Sequence, residues 1–140
     1  MAERIKDLMT PNPQTLSVSA TVREAAEAMR ANDIGTVIAT NDQGRIAGIL
    51  TDRDIAVRVV AEGRDPRATR IDDIASHDLV ALSPDDPIER AVEAMRERAL
   101  RRLPVVQDGK VVGIVSLGDL ALERDPDSAL ADISAAPPNV

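Results

Sequence analysis

Two runs of this chain, Gly48-Ile49-Leu50-Thr51-Asp52-Arg53-Asp54 and Gly113-Ile114-Val115-Ser116-Leu117-Gly118-Asp119, carry a hydroxyl and, three residues later, a carboxylate. Each follows an apolar, glycine-bearing run that reads as a strand and opens a stretch that reads as a helix. A helix start presents unpaired N–H groups and positive partial charge, which suit a phosphate or another anion. A hydroxyl there can donate to phosphate, and a carboxylate three residues on can accept from a vicinal diol such as a ribose. The same spacing also describes an ordinary N-cap, with Thr51 and Ser116 as caps and Asp54 and Asp119 favourable in the first turn. Both readings stand on spacing alone, and the ligand reading gains because the pair occurs twice in the same setting.

Other chemistries have little to work with. The chain has no cysteine, so there is no disulfide, no thiolate metal site and no cysteine nucleophile. Its one histidine, His77, has no second histidine with which to build a metal set or a triad, and a surface or loop-packing role is expected for it. The pairs Asp72-Asp73 and Asp85-Asp86 sit near helix starts, where capping and the helix dipole account for them. No Walker loop or Rossmann glycine fingerprint is present. We therefore expect no catalytic residue, no metal and no enzyme activity.

Composition narrows the partners. With no Phe, Tyr or Trp, the chain has no stacking platform for single-stranded nucleic acid and no cation–π cage, so any flat ring must lie between aliphatic side chains. A formal net charge of −7 argues against nucleic acid, whose binding depends on displacing counterions with a positive surface. No run approaches the ~20 continuous apolar residues of a membrane span, and the start MAERIKDLMT lacks a secretory apolar region. A soluble, cytoplasmic protein is the expectation. At 140 residues, a folded chain removes roughly 68 to 70% of its unfolded surface from water, which is enough for a real core.

The elements that must position the two runs are themselves duplicated. Ile5 set on Ile71 places Asp7 on Asp73, Leu16-Ser17 on Leu82-Ser83, and Ala25, Glu27, Ala28, Met29 and Arg30 on Ala91, Glu93, Ala94, Met95 and Arg96. After a single-residue deletion, Gly44, Gly48, Ile49, Asp54 and Ala56 fall on Gly109, Gly113, Ile114, Asp119 and Ala121. Such copies usually pack together, because neither alone buries its apolar face. Each copy reads as short helix, brief strand, helix, strand, strand, helix. The apolar stripes Val22, Ala25, Ala26, Met29 and Ile88, Ala91, Val92, Met95 predict two equivalent helices, with the methionines as core filler. Thr21 with Glu24, and Asp86 with Pro87 and Glu89, are the expected caps. Hairpins are expected at 36–50 and 103–115, the second turning on Asp108-Gly109.

Tandem copies with Gly-x-x-Thr/Ser-x-x-Asp after the third strand of each resemble a pair of CBS domains, the module named after cystathionine β-synthase. The short chain is similar to the stand-alone bacterial members. The likeness covers Ile5 to about Leu122; its first motif is specific and its second looser. It implies an α/β (α+β) fold of two β-α-β-β-α repeats about a pseudo-twofold axis, with ligand clefts between them. The boundaries it sets are repeat 1 at 1–62, a linker at 63–70, repeat 2 at 71–124 and a partly disordered tail at 125–140. It further implies a homodimer that needs no cofactor, binds AMP, ADP, ATP or S-adenosylmethionine, and acts as a regulatory module on a protein target.

Carried over by position, Asp54 and Asp119 would bind ribose hydroxyls, with Thr51 and Ser116 on ribose or phosphate. The main chain at Pro13-Gln14 and Leu79-Val80 would meet the adenine edge between walls formed by Ile34 and Leu100. Arg53, Arg101 and Arg102 are the phosphate candidates, because a guanidinium fork matches phosphate oxygens; a solvated surface explains them equally. The copies differ: Leu103-Pro104-Val105-Val106 answers Val37-Ile38-Ala39-Thr40, and Gly118 answers Arg53. Arg53 alone would make the Asp54 site the tighter of the two for nucleotide. The alternative function is a constitutive dimeric scaffold with vestigial clefts.

Overall fold

The computed structural model describes residues 3–98 and 100–124. The expected tail at 125–140 lies outside them. Helix α1 (Ile5–Leu8) is followed by β1 (Thr10–Pro11), β2 (Thr15–Ser17), α2 (Val22–Asn32), β3 (Thr36–Thr40) and β4 (Ile46–Thr51). Helix α3 (Asp52–Ile55) continues as a π-helical segment, Ala56–Val60, and α4 (Ile71–Ile74) follows. Then come α5 (Ile88–Arg98), β5 (Arg102–Gln107), β6 (Lys110–Ser116) and α6 (Leu117–Arg124). Among the described residues no helix is long and apolar enough to cross a membrane.

These elements form two compact units that do not follow the order of the repeat. One is continuous, Pro13–Leu79; the other is discontinuous and joins the residues through Asn12 to those from Val80 onward. The sheet of the continuous unit runs β2-β3-β4, and that of the discontinuous unit runs β1-β6-β5. Each copy thus lends its first helix to the other copy's hairpin: α1 packs its Ile5 with Ile88, Leu103 and Val115, while α4 packs its Ile71 with Val22, Val37 and Leu50. Each of these large aliphatic side chains is at least 99% buried. Burial of one such side chain stabilises the fold by about 1.5–3 kcal/mol.

The lent segments reach their sheets over a glycine. In the discontinuous unit Thr10 and Pro11 pair antiparallel with Ile114 and Gly113. In the continuous unit Ser76 and Ile49 exchange both main-chain bonds, at 2.9 and 3.1 Å, beside Gly48. A Cβ on Gly48 would lie 3.2 Å from both the Ala75 Cβ and the Ser76 carbonyl oxygen. One on Gly113 would run into the Met9 Sδ and lie 3.1 Å from the Thr10 carbonyl oxygen. Absence of a side chain is what allows the backbones this close.

Local chemistry explains most boundaries. Thr21 caps α2 as expected: its hydroxyl accepts from the Glu24 N–H at 3.1 Å, and Glu24 accepts from the Thr21 N–H at 3.2 Å. The second hairpin turns with positive φ at Asp108 (54°) and Gly109 (80°), the twist that suits right-handed strands. The expected cap at Asp86 is corrected. Helix α5 begins at Ile88, one residue past Pro87, and the Asp86 carboxylate accepts instead from the Ser83 N–H at 2.8 Å. Ser83 and Asp86 therefore close a turn ahead of the helix rather than capping it.

His77 ties β4 to α4 within the continuous unit. Its Nδ1 lies 2.9 Å from the Ala47 carbonyl oxygen and its Nε2 3.1 Å from that of Asp72. Two acceptors facing two ring nitrogens favour the doubly protonated imidazolium. The ring's pKa is accordingly raised, first by the Ala47 carbonyl, then by that of Asp72, with the Asp72 carboxylate adding to this and burial opposing it.

Two predictions follow from these contacts. Gly113→Ala should destabilise the protein by about 1–3 kcal/mol, read as a lower urea midpoint, and adding Met9→Ala should recover part of that loss. Because the folded His77 pKa lies above its unfolded value, its stabilisation is complete below about pH 6.5 and is lost as pH rises through the folded pKa. Thermal melts should show the gap between wild type and His77→Ala widest on the acid side and closing as pH increases.

Candidate functional site

Each hydroxyl and carboxylate pair sits where a sheet's last strand becomes a helix. In the continuous unit the Thr51 Oγ1 accepts from the Asp54 N–H at 3.1 Å, and the Asp54 Oδ2 accepts from the Thr51 N–H at 2.9 Å. In the discontinuous unit the Ser116 Oγ accepts from the Asp119 N–H at 3.1 Å, and the Asp119 Oδ2 accepts from the Ser116 N–H at 2.8 Å. The capping reading is therefore realised at both places. It does not exhaust the carboxylates, which carry about four acceptor positions each when ionised. Arg58 Nη2 stands 3.8 Å from the Asp54 Oδ1, a long contact that leaves capacity on that oxygen. The Asp54 side chain is 15% exposed, so it is reachable but largely desolvated.

The segment entering each hairpin is tied to the same junction. The Asp52 N–H donates to the Gly35 carbonyl at 3.0 Å, and the Leu117 N–H donates to that of Arg101 at 2.8 Å. Ladder pairing adds Thr36 opposite Thr51 and Arg102 opposite Ser116. In the continuous unit Ile34, Thr51, Arg53 and Asp54 thus gather around the start of α3. In the discontinuous unit Leu100, Arg101, Arg102, Ser116 and Asp119 gather around the start of α6. Ile34 and Leu100 are each 36% exposed, an apolar surface at the mouth of each junction. Arg53, Arg101 and Arg102 are exposed, and among the described residues none of their guanidiniums has an ion-pair partner.

Gln14 stands just ahead of β2, Val80 stands at the equivalent place just ahead of the Leu82 bridge, and they differ. The Ile38 N–H donates to the Gln14 carbonyl at 3.1 Å, which commits that acceptor to the sheet. Pro104 stands at the position equivalent to Ile38 and has no N–H to give. Among the described residues the Val80 main chain makes no hydrogen bond, and pairing there shrinks to a single bridge between Leu82 and Val105. The proline noted in the sequence therefore frees the main chain beside it.

One residue near the junction escaped the sequence reading. Thr36 is 8% exposed, and its Oγ1 is a buried oxygen with no hydrogen-bonding partner. Its signal was present as a hydroxyl opening a strand with an apolar middle, set by the repeat on Arg102.

Among the described residues no group of three or more His, Cys, Asp and Glu side chains is placed to hold a metal ion.

Known proteins share this architecture. The family model for the CBS domain matches residues 5–61 and again 71–124. The CBS domain-containing protein YhcV of Bacillus subtilis (strain 168) is 40% identical over 134 residues, which is 93% of this chain and 94% of that protein. A crystal structure of Hypoxic Response Protein I with two coordinated zinc ions superposes with a TM-score of 0.78 at 31% identity, covering 84% of this chain and 96% of the other. The CBS domain pair of protein MJ0100, solved with 5′-methylthioadenosine and S-adenosyl-L-methionine, superposes with a TM-score of 0.79 at 25% identity, covering 89% and 98%.

Removal of either cap hydroxyl should cost about 1 kcal/mol. Thr51→Val and Ser116→Ala should each lower the urea midpoint without changing the slope of the transition, and a loss below 0.3 kcal/mol would show that the caps contribute little. With both copies matched and the motif of each in place, this chain belongs to the CBS domain family as a tandem pair.

Proposed function

We propose that the chain is a non-catalytic regulatory module that binds an adenosyl ligand, an adenine nucleotide or S-adenosylmethionine, at its two strand-to-helix junctions. The observation that carries this reading is the repeated carboxylate, fixed by its own cap through Oδ2 and still able to accept through Oδ1. A ribose presents two adjacent hydroxyl donors, and a carboxylate accepts both. Ile34 and Leu100 offer the aliphatic contact that an aromatic-free chain must use for an adenine ring. The unpaired Val80 main chain offers a donor and an acceptor for the adenine edge. Adenosyl binding by the MJ0100 pair supports the same ligand class.

Regulation follows from differential binding. A ligand that fits one arrangement of the chain better than another shifts the population toward it by the difference in binding free energy. We take the working form to be a cytoplasmic homodimer that reports this shift to a protein target. Exposed Val57, Val60 and Leu122 provide apolar helix surface on which such contacts can form.

Equilibrium dialysis against AMP, ATP and S-adenosylmethionine tests the reading, followed at the adenine absorbance where this chain is nearly transparent. Asp54→Asn and Asp119→Asn keep an acceptor for the cap but remove the charge. Loss of a charge-assisted hydrogen bond should weaken binding at the altered junction about tenfold or more. Saturable binding that ignores both substitutions, or no binding at all, would favour the scaffold reading.

A further inference from the structure

Arg58 stands between the Asp54 junction and the segment that the second copy lends to the same sheet, and all three lie within the continuous unit. It belongs to the π-helical stretch Ala56–Val60, where the Ala61 N–H donates to the Ala56 carbonyl at 2.9 Å. Widened turns of this kind recur at functional sites. Its Nη1 donates to the Ile74 carbonyl, at the end of α4, at 2.7 Å. Its Nη2 stands 3.8 Å from the Asp54 Oδ1, the oxygen that the cap does not use. A charge-assisted bond closes to about 2.7–2.9 Å, so the guanidinium serves the carbonyl fully and the carboxylate only in part.

Ile74 is the point where the lent segment turns from helix to sheet. Ile74 and Ala75 are buried in the core, and the next residue, Ser76, exchanges both main-chain bonds with Ile49. His77 adds a further hold on the Ala47 carbonyl, so the segment has anchors other than Arg58. The guanidinium is thus placed to adjust the docking rather than to create it. The other copy lacks the device. There the repeat sets Glu123 on Arg58 and Leu8 on Ile74, and an ionised carboxylate has no hydrogen to give a carbonyl.

Resting on the adenosyl reading, we propose that Arg58 is a positioning residue that carries occupancy of the Asp54 junction to the lent segment. Without ligand, its guanidinium is shared between the Asp54 Oδ1 and the Ile74 carbonyl. Ribose hydroxyls donating to Oδ1 take that acceptor and leave Arg58 to the carbonyl alone. The lent segment is then held harder. The competition also lowers the apparent affinity of the ligand, by the share of molecules in which Arg58 occupies Oδ1. Loss of Arg58 therefore tightens binding, the opposite of what an arginine touching the ligand would do.

Hydrogen exchange at the Ser76 amide, followed by NMR on the full chain with saturating AMP or S-adenosylmethionine, tests the link. In wild type the ligand should slow that exchange about fivefold or more. Arg58→Met at the same saturation should lose most of this effect, and calorimetry should show it binding as tightly as wild type or up to about fivefold tighter. Asp54→Asn without ligand removes the pull on Arg58 and should slow Ser76 exchange by itself, a test that stands even if Arg58→Met fails to fold. The link is overturned, and the adenosyl reading survives, if wild type binds but Ser76 is slowed equally in both proteins or in neither. Weaker binding by Arg58→Met, or unchanged Ser76 exchange in ligand-free Asp54→Asn, overturns it as well. Binding of neither ligand by wild type overturns the reading beneath it and the link together.

Discussion

The reciprocal pair of hydrogen bonds between Thr51 and Asp54, repeated between Ser116 and Asp119, is the constraint on which the candidate sites depend. A carboxylate on a free helix turn would sample several rotamers. Here one oxygen is held by a main-chain N–H at the end of a strand, so the other is fixed relative to the sheet. The cap and the ligand role therefore act together: the bond that starts the helix also aims the acceptor. A ligand meeting such a group does not bear the entropy of ordering it.

That geometry holds only because the strand before each helix is anchored on both sides. On one side it pairs with its hairpin partner; on the other it receives a segment lent by the other copy, across Gly48 or Gly113. The glycine, the strand and the cap form one short run of chain, so the motif from glycine to aspartate is a single mechanical device. Its glycine makes room for the neighbouring backbone, its apolar residues fill a core, and its last residues present the polar groups.

Much of this was legible in the residues. The repeat, the helical stripes, the Asp108-Gly109 turn and the hydroxyl and carboxylate spacing are local signals set by periodicity, backbone sterics and capping. The lending of α1 and α4 was not legible, because Ile5 and Ile71 are the same apolar type and fit either copy's core equally well. The Asp86 cap was misplaced because a Ser-x-x-Asp turn and a helix cap share the same spacing. Thr36 was passed over because a threonine in a strand is ordinary until its hydroxyl is found buried without a partner. The consequence of Pro104 needed the register, since a missing N–H matters only where a carbonyl waits for it.

The two halves have drifted apart at the positions that touch the junctions and stayed alike at those that build them. The most direct measurement is a ¹H–¹⁵N correlation NMR titration of the full chain with S-adenosylmethionine and, separately, AMP. The account predicts saturable shifts centred on the amides of Thr51 and Asp54 and of Ser116 and Asp119, where cap and ligand share one carboxylate through its two oxygens. Saturable shifts that leave all four amides in place, or no shifts with either ligand, would contradict it.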